Sequence, residues 1–295
     1  MSTLPASRLT VDLEPQQGAR PIVKWVGGKR KLVPELLARM PRTFLRYFEP
    51  FFGGGALFFA AKLERPSFLG DLNVDLIEAH VCVRDDLPRL LAHLKVLAAG
   101  HVLNPSEFYY SARTVWNDKR HTLPVHERAA LFLYINRACW NGVFRVNRAG
   151  KLNVPIGSAT EITIDEENFW AAKRALAAAR LAAAPYGATI AKARRGDFIY
   201  FDPPYDPVSE TADFTTYTEG GFDRAAQQAL AACFRRLTAM GCYVMLSNSD
   251  TPFVRELYKG FCIETVQVGR SINSKGTGRG AVAEVLVTND YPRRG

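Results

Sequence analysis

"RYFEPFFGGGALFFAAKL", residues 46–63, reads as a short strand, a glycine loop and an apolar helix. "SFLGDLNVDLIEAH" (67–80) follows as a second strand, an acidic turn and a second helix. The two segments together start a βαβ unit, and so a parallel sheet covered by helices. Glycines let backbone pass close to a ligand and turn into a helix N-terminus. Phe58 stands where a dinucleotide fingerprint needs its third glycine, so the loop Gly53, Gly54, Gly55 does not suit a pyrophosphate. It does suit a cofactor without phosphates, and Asp71 at the end of the second strand can accept hydrogen bonds from ribose hydroxyls. Read alone, the loop suits a simple turn as well.

Upstream, "PIVKWVGGKRKLVPELLARMP" (21–41) sets a Gly-Gly turn before a helical pattern stopped by Pro41. Downstream, from about residue 76 to 165, the pattern becomes mostly helical and ends in the Asn, Gly and Arg-rich loop "WNGVFRVNRAGKLNVPIG" (140–157). The α/β pattern is expected to resume near Ile190. Asp197–Phe201 reads as a strand, and Asp223 as the N-cap of a helix whose Leu230, Cys233, Phe234 and Leu237 share a face. "CYVMLSNSD" reads as another strand, and "FCIETVQVG" with "AEVLVTN" as a late antiparallel pair. The expected architecture is one α/β domain interrupted by a helical insertion.

The chain of 295 residues has 47% apolar and 23% charged residues, an ordinary globular balance that excludes a disordered or fibrous class. Its net charge of +9 suits an anionic partner. Five cysteines without a C-x-x-C pair suit reduced thiols in a cytoplasmic protein. The histidines show no zinc spacing, so no structural metal is expected. No apolar run suits a signal peptide or a membrane span. Residues 1 to about 20 read as a flexible tail.

"DFIYFDPPY" (197–205) runs a buried strand into Asp202, Pro203, Pro204 and Tyr205. The prolines have no N–H and cannot continue a sheet ladder. An exocyclic amine on a purine is a poor nucleophile, because its lone pair is delocalised into the ring. A carboxylate accepting one of its hydrogens, and a rigid backbone carbonyl accepting the other, favour a pyramidal nitrogen that can attack. Asp202 and the Pro203 carbonyl supply that pair, and Tyr205 supplies a stacking face. In the 140–157 loop, Trp140, Asn141, Val143, Arg145 and Arg148 are types that wedge a duplex, pair with bases or grip phosphate. "GRSINSKGTGRG" (269–280) offers Arg270, Lys275 and Arg279 for phosphates or a solvated face. The segment 206–222, with Phe214 and Tyr217, reads as a lid over the base.

"KWVGGK" (24–29), "EPFFGGGALFF" (49–59), "GDLNVDLI" (70–77), "FLYINRACWNGVFRVNRAGKLNVPIG" (132–157), "FDPPY" (201–205), "LSNSDT" (246–251) and "GRSINSKG" (269–276) occur in this order. The combination resembles the Dam family of DNA adenine-N6 methyltransferases over about residues 21 to 290, in the alpha arrangement with the glycine loop before the tetrad. The resemblance implies a Rossmann-like S-adenosylmethionine-dependent methyltransferase domain over 21–75 and 166–295, with a target-recognition domain inserted at 76–165. It implies that Trp25, Lys29, Phe51, Gly53, Gly54, Gly55, Asp71 and Asp202 line the S-adenosylmethionine pocket, from which S-adenosylhomocysteine leaves. Asp202, Pro203, Pro204 and Tyr205 would hold a flipped adenine. Lys24 would contact the first guanine of a GATC-like site in double-stranded DNA. Trp140 would wedge the duplex, Asn141, Val143, Arg145 and Pro155 would touch target bases, and Arg270 would lie near the backbone. Where relatives carry basic residues after "VPxG", "SATE" (158–161) follows here, with an acidic Glu161. A monomer suffices for these roles, and no metal is needed. The tetrad's chemistry also permits methylation of cytosine N4 or RNA adenine, and the fold permits a non-catalytic DNA-binding module.

Overall fold

The computed structural model describes residues 18–207, 222–269 and 281–294. Helix α1 (Val33–Arg39) precedes strand β1 (Tyr47–Glu49), helix α2 (Ala56–Ala61), strand β2 (Ser67–Asp71) and helix α3 (Val74–Asp85). The Asn73 side chain caps α3 by accepting from Leu76 N at 2.9 Å. Then come α4 (Leu87–Leu103), α5 (Pro105–Lys119), α6 (Val125–Ala138) and α7 (Glu166–Leu176). The α/β alternation resumes with β3 (Ala179–Ala183), α8 (Tyr186–Thr189), β4 (Phe198–Phe201), α9 (Arg224–Ala239), β5 (Tyr243–Ser249) and α10 (Pro252–Leu257). Strands β6 (Cys262–Gly269) and β7 (Ala281–Thr288) close the sheet.

Among the described residues the strands form one sheet in the order β3-β2-β1-β4-β5-β7-β6. The first five strands are parallel, and β7 runs antiparallel to both β5 and β6. The mixed α/β architecture expected from the glycine loop is therefore present, with the late antiparallel pair at one edge. One expectation is corrected. The α/β pattern resumes at Ala179, not near Ile190, because β3 pairs with β2 from Ser67↔Ala179 to Asp71↔Ala183. This stretch is rich in alanine and has no β-branched residue, so its local preference is helical. Pairing with an edge of the sheet overrides that preference.

Alternate strand residues face opposite sides of the sheet. Tyr47, Phe198, Tyr200 and Met245 point into one core, and Phe48, Ile199, Phe201 and Leu246 into the other. Helix α9 covers the second face. Asp223 caps it by accepting from Ala226 N at 2.8 Å, and Leu230, Cys233, Phe234 and Leu237 are buried as the periodicity requires. Each of its large apolar side chains contributes about 1.5–3 kcal/mol by leaving water. On the other face, Trp116 of α5 and Phe132 of α6 belong to the same apolar cluster as Tyr47. The helices between β2 and β3 pack on one another, and α3 carries that apolar cluster onto the sheet beside β2 and β3. No helix among the described residues is long and apolar enough to cross a membrane.

Candidate active site

The chain runs outward from β1 to β2 and β3, then restarts on the other side of β1 with β4 and β5. A crevice opens where such a sheet reverses its strand order, beyond the carboxyl ends of the strands. The glycine loop leaves β1 there, Asp71 ends β2, and Asp202 follows β4 directly.

The glycine loop is fixed by short bonds. Phe52 N donates to Gly70 O at 2.8 Å, and Gly55 N donates to Phe52 O at 2.7 Å. Gly53 and Gly55 have φ of 48° and 67°, a region that a side chain disfavours. Asp71 accepts from Gly53 N and from Asn73 N, each at 2.9 Å. Burial raises its carboxyl above the usual range, against the pull of these N–H groups. Trp25 lies against the loop: a Cβ on Gly53 would sit 2.9 Å from the indole Cδ1. The same indole stands 6.3 Å from the Phe132 ring and 6.4 Å from that of Phe144, so it joins the loop to the helical segment. Phe51 is half-buried, its ring stacked on Tyr186 at 5.5 Å and edge-on to Phe222 at 5.6 Å.

At the end of β4, the Asp202 side chain is 18% exposed and its Oδ1 lies 3.0 Å from Lys29 Nζ. Ser247 Oγ donates to the same oxygen at 2.7 Å and lies 2.9 Å from Tyr200 OH. Burial pushes the Asp202 carboxyl up, and the Lys29 charge and the Ser247 hydroxyl oppose it. Lys29 also donates to Gly27 O at 2.7 Å, and its ammonium sits 4.4 Å from the centre of the Tyr205 ring. Tyr205 OH donates to Glu284 Oε2 at 2.6 Å. Lys29 therefore holds one oxygen of the carboxylate, Oδ1, and covers one approach to the ring.

Glu49 lies buried on the adjacent strand and accepts from Tyr47 OH at 2.8 Å. Burial raises its pKa well above the ordinary value, the Tyr47 hydrogen bond lowers it in part, and the Asp202 charge raises it further. The folded state thus holds a proton that the unfolded chain releases. Stability from this group is complete below the unfolded value of 4.5 and is lost as pH rises through the folded pKa. Glu49→Gln keeps an acceptor for Tyr47 and removes the titration. Its amide nitrogen cannot accept from Phe58 N–H as the carboxyl does, so we expect a fixed offset in melting temperature below that pH and a steady gain on the native protein above it, as thermal denaturation across a pH series would show. A constant difference at all pH values would contradict this.

A second group of residues gathers at the end of α6. Asn136 is buried and holds two segments together: its Oδ1 accepts from Lys24 N at 2.9 Å, and its Nδ2 donates to Lys24 O at 2.7 Å and Gly142 O at 3.2 Å. Gly142 has φ of 68°, and a Cβ there would meet Lys24 Cβ at 2.5 Å. The "KWVGGK" segment therefore lies directly on the 140–157 loop. Trp140 is 55% exposed, and its backbone N–H donates to Pro155 O at 2.9 Å. Asn141 takes a left-handed φ of 54°. The bridge Val146↔Leu152 and the bond Asn147 N to Lys151 O at 2.8 Å make a small hairpin, which carries Arg145 exposed at its base. Val143 is half-buried, while Lys24, Pro155 and Glu161 are exposed.

The structure thus brings Trp25, Lys29, Gly53, Asp71, Asp202 and Tyr205 to one crevice, and Lys24, Trp140, Asn141 and Pro155 to one neighbouring surface. Arg270, Lys275, Arg279, Phe214 and Tyr217 lie outside the described residues. Ser247, Glu284 and Glu49 belong to the crevice but are not singled out by spacing; Ser247 alone carries a signal, as the polar end of a buried strand. Elsewhere, His93 of α4 and His126 and Glu127 of α6 place three possible ligand atoms within 4.8 Å of one another, although their sequence spacing does not suggest it.

Comparison with known proteins agrees with this geometry. The chain is 37% identical to the type II methyltransferase M1.LlaDCHI of Lactococcus lactis subsp. cremoris, over 92% of this chain and 95% of that one. It is 33% identical to the type II methyltransferase M.MjaIII of Methanocaldococcus jannaschii, over 92% and 99% of the two chains. A DNA adenine methylase of Vibrio cholerae is 34% identical over 90% of this chain and 95% of its own. The family described as D12 class N6 adenine-specific DNA methyltransferase matches residues 25–272. With that match covering the crevice, the helical segment and the loop at its end, the chain belongs to the D12 class of N6 adenine-specific DNA methyltransferases.

Proposed function

We propose that this adenine-specific DNA methyltransferase uses S-adenosylmethionine, takes a flipped adenine from duplex DNA at a GATC-like site, and holds its N6 amine on Asp202. The observation that carries the assignment is the Asp202 carboxylate. It stands at the strand ends, mostly buried, with one oxygen bound by Lys29 and Ser247.

The crevice has groups that suit the cofactor. Gly53 and Gly55 let the loop turn tightly against Trp25 and Phe52. Asp71 supplies a half-buried carboxylate for ribose hydroxyls, and Trp25 and Phe51 supply apolar walls. When bound, S-adenosylmethionine supplies an electrophilic methyl group on a sulfonium. The chain's own residues do the rest by positioning and electrostatics. Asp202 accepts one N6 hydrogen, the Pro203 carbonyl accepts the other, and Tyr205 stacks on the base. Lys29 and Ser247 hold Oδ1 of Asp202, which leaves Oδ2 to face the amine. The nitrogen loses a proton only as it becomes cationic, and the Asp202 carboxylate then takes it and passes it to solvent, so no strong base is required.

In the same reading, residues 21–75 and 166–295 form the catalytic domain and 76–165 the recognition domain. Trp140 wedges the duplex, Lys24 and Arg145 read guanine, Asn141, Val143 and Pro155 touch bases, and Arg270 lies near phosphate. The packing of Lys24 against Gly142 supports a shared reading surface. Arg145→Ala should lose about 1–3 kcal/mol of discrimination at a single base pair, with little loss at the others. Rates on the GATC duplex and on its singly substituted versions measure this. An equal loss on every sequence would make Arg145 a phosphate contact instead.

A further inference from the structure

Two buried carboxamides lie behind the proline turn. Gln227 of α9 is 1% exposed and Asn248 of β5 is 0% exposed. Gln227 Nε2 donates to Pro204 O at 2.8 Å. Asn248 Nδ2 donates to Gln227 Oε1 at 3.1 Å, and Asn248 Oδ1 accepts from Asp206 N at 3.2 Å. The two ends of this chain fix the orientation of both amides. A backbone carbonyl requires a donor and a backbone N–H requires an acceptor, so neither side chain can flip without breaking two bonds. The relay grips the two backbone groups that flank Tyr205.

That position is the soft joint of the turn. The φ angles of Pro203 and Pro204 are locked by their rings, and ψ of Pro203 is restricted by the proline that follows. The free torsions are ψ of Pro204 and those of Tyr205, and the relay holds the peptide groups on either side of them. Beyond the turn, Ser249 Oγ donates to Asp206 O at 2.7 Å and Thr251 Oγ1 donates to Asp206 Oδ2 at 2.9 Å, so the chain is anchored there as well. We infer that Gln227 and Asn248 are positioning residues for methyl transfer: their paired amides set the angle between the Asp202 carboxylate and the Tyr205 ring, and so the seat of the target base. This rests on the proposal that Asp202 to Tyr205 hold the adenine.

The test compares native protein, Gln227→Leu, Gln227→Glu and Asp202→Ala, with S-adenosylmethionine and a GATC duplex. Gln227→Leu removes the donor at similar volume and should lower kcat by about 10- to 100-fold, as expected for a misplaced reacting group. Its dissociation constant for S-adenosylmethionine should be unchanged. Gln227→Glu gives the sharper readout. When protonated, the acid still donates to Pro204 O and accepts from Asn248. When ionised, it sets a second acceptor against that carbonyl. Burial raises the pKa of such an acid, so kcat of this variant should fall as pH rises, along a limb absent from the native profile. A duplex with 2-aminopurine as target should show altered emission in Gln227→Leu if the flipped base is seated differently. A native kcat in Gln227→Leu, or a Gln227→Glu pH profile that superimposes on the native one, overturns the inference if Asp202→Ala is inactive. Activity of Asp202→Ala overturns instead the assignment on which it rests. If Gln227→Leu does not fold, the Gln227→Glu profile decides.

Discussion

Asp202→Ala is expected to lower the rate of methyl transfer on the order of 10³-fold or more, because it removes both the acceptor for N6 and the charge that faces the developing cation. The same change leaves the ammonium of Lys29, only 9% exposed, without its anionic partner. A buried charge without a partner is costly, so part of any loss in activity will reflect stability. Asp202→Asn separates the two effects: it keeps an oxygen for Lys29 and Ser247 but loses the negative charge. Single-turnover rates with labelled S-adenosylmethionine, beside a thermal melt of each variant, make the comparison. Both variants should be nearly inactive, and Asp202→Asn should melt closer to the native protein. Turnover at the native rate in either would remove Asp202 from the mechanism. On the proposed mechanism the ionised carboxylate is the working form, and burial raises its pKa. Activity should therefore be lost on acidification at a higher pH than an exposed aspartate would allow.

Gly55→Ala is expected to destabilise the fold by about 2–4 kcal/mol, combining left-handed backbone strain with overpacking. Gly55 has φ of 67°, and its added Cβ would lie 2.4 Å from the Phe52 ring and 3.2 Å from that of Phe59. Both rings are fully buried, so neither can move aside without opening the core under β1. Urea unfolding followed by circular dichroism would report the loss. A change within about 0.5 kcal/mol, the range for a surface substitution, would show that the loop adapts.

Much of this was readable in the residues. Three glycines after an aromatic strand marked the first turn of the sheet, and an apolar strand broken by two prolines marked where β4 delivers a carboxylate. The α9 periodicity and its aspartate cap were equally plain. What failed did so for physical reasons. Strand β3 is rich in alanine, which favours a helix until β2 offers a partner. The buried Asn136 looks like one polar residue in a helix, yet it reaches Lys24, 112 positions away in sequence, and ties it to Gly142. Gln227 occupies a helix whose other buried residues are mostly apolar, and only the fold sets it behind the proline turn. Lys29 was expected beside the cofactor. Its contact with Asp202 and the Tyr205 ring depends on the 24–29 segment meeting the proline turn.

The central claim is that the Asp202 crevice methylates adenine N6 within a GATC-like site. Mapping N6-methyladenine in the DNA of a host without its own adenine methylation, expressing either the native protein or Asp202→Asn, tests it most directly. Methylation confined to one GATC-like context for the native protein and absent for the variant is the predicted result. Equal methylation by the variant, or modified adenines scattered without a common sequence, would contradict it.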